Sequence, residues 1–201
     1  MGIPVLILGE SGSGKSTSMR NFTADDVRVF NVASKPLPFR GKLPRLDGAT
    51  YATIKTALAK PDRKAYVIDD SQYLLAFESF DHAKEIGYGK FTDMALNFRD
   101  LIDYVVKKTT SDVLVYFLHH TERTEDGRTK AKTIGKMLDN QLTVEGLFSI
   151  VLLCKTDGTR HYFETQSDGS TTAKSPMGMF EREIDNDLKF VDDTIRAYWE
   201  I

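Results

Sequence analysis

Residues 9 to 17 read GESGSGKST, which sets Gly9 and Gly14 five positions apart and follows them with Lys15 and Ser16. This is the full phosphate-loop spacing of two glycines, a lysine and a hydroxyl. Such a loop must turn so that backbone N–H groups, here around Gly12, Ser13 and Gly14, point inward at a polyphosphate, and side chains at those positions would obstruct it. Lys15 then reaches the β and γ oxygens as a point charge, and the Ser16 hydroxyl takes one position on a Mg²⁺ ion that keeps most of its waters. The candidate nucleotide-binding residues are therefore Gly9, Glu10, Ser11, Gly12, Ser13, Gly14, Lys15, Ser16 and Thr17. A helix expected over residues 15 to 22 would add positive potential at its amino end.

The metal needs a second protein oxygen, and the run Ala65-Tyr66-Val67-Ile68-Asp69-Asp70 ends an apolar strand in an acid. Asp69 is the expected ligand, because carboxylates at the carboxyl ends of central strands lie where open α/β sheets bind. Asp70 stands where many phosphate-loop ATPases carry a Glu that orients the attacking water; a helix-capping Asp is the alternative reading. Glu78 is a more distant candidate base. His119 and His120 close the run Val113 to Leu118. If that strand lies between the loop strand and the Asp69 strand, His119 is expected near the γ-phosphate as a sensor whose hydrogen bond is lost on hydrolysis. His82, His161 and Cys154 lack zinc-ligand spacing.

These residues need strands and helices to position them. Short branched apolar runs, Ile3 to Leu8, Val27 to Val32, Ala65 to Ile68, Val113 to Leu118 and Leu147 to Leu153, alternate with stretches of helical period, the pattern of an α/β sheet with crossover helices. The first, third and fourth show little polar alternation and are expected to be central strands covered on both faces. Phe91, Met94, Ala95, Phe98, Leu101, Ile102 and Val105 mark one amphipathic helix, and Leu188, Val191, Ile195 and Tyr198 another. Residues 34 to 48 and 121 to 136 read as an irregular connection and a long surface loop. Asp157-Gly158 suits a hairpin turn, giving an antiparallel hairpin near residues 146 to 166.

At 201 residues with a formal charge of −2, the chain is neither generally basic nor too short for one substantial core. A hydrophobic share of 41% and a charged share of 28% exclude a disordered composition. One domain over residues 1 to 201 is expected. The single Cys154 excludes an intramolecular disulfide framework and fits a reducing compartment. No apolar run approaches the ~18 residues of a membrane span. The amino terminus has neither a signal-peptide progression nor the Ser or Thr that a myristoylation signal wants where Leu6 stands. No membrane partner and an intracellular location are expected.

Other phosphate-loop machines fit less well. No LSGGQ-like signature of transporter ATPases is present. Lys155-Thr156-Asp157 mimics the guanine-reading NKxD, but Cys154 stands in place of Asn, and Asp69-Asp70-Ser71-Gln72 lacks the Gly of DxxG. A small-molecule or nucleoside kinase stays open, with Arg123 and Arg128 as lid arginines, as does a nucleotide-binding switch with little turnover.

The phosphate loop, IDDSQYL (68 to 74), FLHHTE (117 to 122), TKAKTIGKMLDN (129 to 140), TVEGLFSIVL (143 to 152) and TAKSPMGMF (172 to 180) together resemble the phage-encoded nucleotide-binding ATPases. These are similar to a reduced RecA core, and the Sak-four group among them acts in recombination. The resemblance spans nearly the whole chain. It implies a three-layer RecA-like fold, mainly parallel, Mg²⁺-dependent ATP hydrolysis, and homo-oligomeric rings or filaments. Single-stranded DNA and a single-strand-binding protein are the implied partners, and the cytoplasm of the host cell the implied location. Carried over position by position, it supports Gly9 to Thr17 for nucleotide, Asp69 for magnesium and His119 as sensor. One departure stands out: RecA draws its catalytic Glu from the end of the second strand, where this chain reads Val27 to Lys35 with no acid.

Residues 121 to 136 hold Arg123, Arg128, Lys130, Lys132 and Lys136 against three acids, so assembly along one groove would convert weak basic loops into avidity for DNA. Five cations neutralising single-strand phosphates would give a log K against log salt slope of roughly −3 to −4. Residues 35 to 45 add Lys35, Arg40, Lys42 and Arg45. Lys174, before Pro176 and Gly178, is the candidate to reach a neighbouring subunit's γ-phosphate from a rigid turn.

Overall fold

The computed structural model describes residues 1–134 and 143–201. The strands are β1 (Ile3–Gly9), β2 (Val27–Asn31), β3 (Arg45–Asp47), β4 (Ala65–Asp69), β5 (Leu114–Arg123), β6 (Thr129–Ala131), β7 (Ile150–Thr156), β8 (His161–Glu164) and β9 (Glu183–Asp185). The α-helices are α1 (Tyr51–Leu58), α2 (Gln72–Asp81), α3 (Gly89–Lys108) and α4 (Leu188–Trp199), with 3₁₀ segments at Ser16–Asn21 and Val144–Leu147. The sheet runs β3-β2-β4-β5-β1-β7-β8-β9, with β6 paired to the outer part of β5. Every pair from β3 through β7 is parallel, and β8 and β9 are antiparallel.

Period-two alternation sorts the apolar strands onto two faces. Leu6, Leu8, Tyr66, Ile68, Val115 and Phe117 pack with α1, α2 and α3 on one side. Val5, Ile7, Ala65, Val67, Tyr116 and Leu118 pack with the first 3₁₀ segment and α4 on the other. Burial on both faces explains why the central runs read as continuous apolar stretches. The result is an α/β fold on a mostly parallel sheet covered on both faces, compatible with a three-layer sandwich. Helix α3 buries Met94, Ala95, Phe98, Leu101, Ile102 and Val105 at three- and four-residue steps. Each large apolar side chain among them contributes about 1.5–3 kcal/mol on burial. The helix ends with Lys107 and Lys108 in its last turn, where the dipole favours cations. Helix α4 starts where the Asp187 carboxylate accepts from Lys189 N and Phe190 N.

Three local expectations change. Residues 121 to 131 form a hairpin rather than a loop: β5 continues past its apolar part, and Thr121, Glu122 and Arg123 pair with Ala131, Lys130 and Thr129. The residues there are mostly polar and half-buried or exposed, with Ala131 alone fully buried, so no apolar alternation marks the ribbon and in sequence it looks like a loop. The segment after the phosphate loop is a six-residue 3₁₀ helix, not an α-helix, so it adds little macrodipole. Within residues 34 to 48, Arg45–Asp47 joins the sheet edge as β3. Lys136 and the rest of 135–140 in TKAKTIGKMLDN lie outside the described residues. No helix among the described residues is long and apolar enough to cross a membrane.

Candidate nucleotide-binding site

The loop at the end of β1 closes on its own lysine. Lys15 Nζ donates to Gly9 O at 2.7 Å and to Glu10 O at 2.8 Å, so the ammonium sits inside the ring of backbone and is itself buried. Gly9 is required by close approach, since a Cβ there would lie 2.4 Å from Ser13 Oγ and 3.0 Å from Cys154 O. Gly14 is required by conformation: its φ is +101°, in the left-handed region, and a Cβ would press on the His161 ring at 3.0 Å. The loop is held from behind, where Ser13 O accepts from His161 Nδ1 at 2.7 Å and from Cys154 Sγ at 3.0 Å. Burial pushes the Cys154 thiol up to about 11 and lowers Lys15 from the usual ammonium range, against the pull of Cys154, Asp70 and Asp69.

Strand pairing brings the distant acids to this loop. Ser16 Oγ donates to Asp69 Oδ1 at 2.7 Å across 53 residues of sequence. Burial raises Asp69 above the usual carboxylate range, partly offset by that hydrogen bond. A hydroxyl and a carboxylate converging beside a loop closed on a buried lysine fit Mg²⁺, which takes one or two protein oxygens and completes its octahedron with water and phosphate. Among the described residues no group of three or more His, Cys, Asp or Glu could hold a metal by protein ligands alone. A phosphate-bound Mg²⁺ does not need one. A cavity of about 220 Å³ lies over the loop, lined by Gly12, Gly14, Lys15, Ser16, Thr17, Asp70, His120 and His161 among others.

Asp70 is in this cavity but not free. Its φ of +61° is uncommon for a non-glycine residue. Oδ2 meets Lys35 Nζ at 2.5 Å and Oδ1 meets His120 Nε2 at 3.2 Å. Burial acts to raise its carboxyl, but His120 and Lys35 together hold it below the ordinary range. Glu78, the distant candidate base, contacts Asn97 Nδ2 on α3 instead.

The sensor expectation for His119 needs correction. Strand β5 does lie between β1 and β4, as that expectation required. Alternation along β5 nonetheless turns His119 to the α3 face, against Phe98. Its Nε2 donates to Lys132 O at 2.8 Å and its Nδ1 accepts from Ser71 Oγ at 2.9 Å, so both nitrogens are used. Burial lowers its pKa to about 4. His120, one residue later, faces the cavity. His161 and Lys35 also line it, and sequence reasoning assigned neither to the nucleotide; no local spacing marks them, because β8 and the chain after β2 arrive only through the sheet.

The basic residues of the hairpin are paired with nearby acids. Arg123 lies 3.8 Å from Glu10, Arg128 3.3 Å from Asp126, and Lys130 3.1 Å from its cross-strand partner Glu122. Lys132 donates its backbone N–H to His120 O. Arg123 and Glu10 also line a second cavity of about 340 Å³ with Ser11, Thr121, Lys155 and Tyr162. Lys174 exchanges two backbone hydrogen bonds with Val151, a residue level with Leu6 on β1, below the phosphate loop. It lies away from the cavity over its own loop.

The chain matches no protein-family model and has no significant match among curated proteins.

Proposed function

We propose that this chain is a Mg²⁺-dependent ATPase of the phosphate-loop class with a RecA-like core, acting on single-stranded DNA in phage recombination or replication as a homo-oligomer. The observation that carries the reading is the convergence of Ser16 on Asp69 at 2.7 Å beside a loop closed on a buried Lys15. In this reading the loop amides and Lys15 bind the phosphates and offset charge that develops during transfer. Ser16 and Asp69 would hold Mg²⁺, which supplies neutralisation of the β and γ oxygens. Phosphoryl transfer asks the protein mainly for positioning and electrostatics, so this short set of groups is chemically sufficient. The DNA role rests on the resemblance and on Arg123, Arg128 and Lys130 of the β5–β6 hairpin, which rises from the strand next to the loop.

A second reading, a nucleotide-binding switch with little turnover, draws support from Asp70, whose two oxygens are both engaged. Phosphate release with and without single-stranded DNA, run beside light-scattering mass measurement, separates the readings. DNA-stimulated release by an oligomer supports the first, and binding without turnover the second. Transfer only to a small acceptor would favour a kinase. Absence of any nucleotide binding in ample magnesium would sink all three.

A further inference from the structure

Strand β2 ends on Asn31, whose buried side chain fixes the chain beyond it. Asn31 Nδ2 donates to Lys35 O at 2.8 Å, and Asn31 Oδ1 accepts from Lys35 N at 3.2 Å. The sheet register sets Asn31 beside Asp69. The backbone of Lys35 is therefore anchored next to the strand-end acids, while its side chain, 55% exposed, can turn on a flexible four-carbon stem. Its Nζ rests on Asp70 Oδ2 and lies 5.2 Å from the Tyr73 ring centroid. Lys35 lines the same cavity as Gly12, Gly14, Lys15 and Ser16.

A polyphosphate entering that cavity brings like charge to Asp70 and opposite charge to Lys35, so the resting pair becomes the less favourable arrangement. Lys35 stands on the Asp69 and Asp70 side, where a metal held by Ser16 and Asp69 would bridge the β- and γ-phosphates. The group it would meet is the terminal phosphate. The unusual backbone of Asp70 is consistent with a residue retained for function rather than for stability.

We propose that Lys35 is a ligand of the terminal phosphate that rests on Asp70 until a triphosphate binds. The exchange lets the site distinguish tri- from diphosphate and releases Asp70 Oδ2 to accept a hydrogen bond from the attacking water. This inference rests on the phosphate-loop reading above and adds a cation that the motif does not contain.

Calorimetric titration of the full chain with Mg-ATPγS and with Mg-ADP tests it, using wild type, Lys35→Met, Lys35→Arg and Asp70→Asn. Lys35→Met keeps an apolar stem over Tyr73 and is expected to weaken ATPγS binding about ten- to hundredfold, with ADP affinity within about twofold of wild type. Lys35→Arg should restore most of the discrimination. Asp70→Asn should bind ATPγS at least as tightly as wild type while losing turnover. Equal losses for both nucleotides in Lys35→Met, or no loss for either, would overturn the inference while leaving the phosphate-loop reading intact. A wild type that binds neither nucleotide would overturn both.

Discussion

The phosphate loop and the β5–β6 hairpin both extend from the carboxyl ends of neighbouring central strands, with Gly9 and His120 in register, yet they treat charge in opposite ways. In the loop, Lys15 is buried and its nearest partners are two carbonyl oxygens. In the hairpin, Arg123, Arg128 and Lys130 are each within 4 Å of an acid. A buried cation hydrogen-bonded to carbonyls, with acids acting on it only at a distance, is costly unless an anion arrives, whereas exposed pairs are worth little either way. The difference teaches that charge count is a poor guide to a binding site, and charge left uncompensated by its surroundings a better one.

The sharpest way to break that comparison is Lys15→Ala. Nucleotide affinity should fall at least a hundredfold, a loss of about 3 kcal/mol or more, as expected for charge-assisted contacts. The melting temperature should hold or rise, because burial already disfavours the ammonium. Unchanged affinity by calorimetry would remove the loop from the argument.

His119 anchors the base of the hairpin through Lys132 O, and its burial makes that anchor sensitive to pH. The folded ring has a pKa near 4 while the unfolded chain takes a proton near 6.5, so stability is complete above about pH 6.5 and declines as pH falls toward 4. The full decline is about 3 kcal/mol. Urea unfolding across this range should show the decline in wild type and a markedly flatter profile in His119→Gln; identical profiles would assign the effect elsewhere.

For the hairpin, pairing within the chain should mute its salt response to single-stranded DNA. The expected slope is nearer −1 to −2 than the roughly −3.5 of five free cations. Glu122→Gln with Asp126→Asn should steepen it by about one, since two acids beside Lys130 and Arg128 lose their charge. A slope that ignores this double substitution would take the hairpin out of the DNA reading. The smallest effect belongs to Glu10→Gln, which breaks an exposed contact with Arg123 and should change unfolding free energy by less than about 0.5 kcal/mol. A larger change would mean that the loop and hairpin are coupled more tightly than their distance implies.

Much of the framework was legible from local pattern. The strands at Ile3, Ala65 and Val113 announced themselves because burial on both faces requires uninterrupted apolar residues, and α3 because one face must be apolar at helical period. The hairpin at β7 and β8 followed from Asp157-Gly158, where Gly158 has φ +90°. Less legible were β3, β6 and β9, each three residues long and held only by a neighbour. Which member of the His119-His120 pair faces the cavity was not legible, because both are consistent with a strand end; it depends on which side of β5 faces the loop, and that side is His120's.

Within the site the division is physical. Residues 9 to 17 carry their own geometry, since glycine conformation and a nearby lysine act over a few bonds, and so the sequence alone determined a loop that closes on Lys15. Which side chains surround that loop, Asp69 on Ser16, Lys35 and His120 on Asp70, His161 behind Ser13, was decided by the order and register of strands. Electrostatics and hydrogen bonds act through space, and residues far apart in the chain become neighbours only when the sheet is assembled.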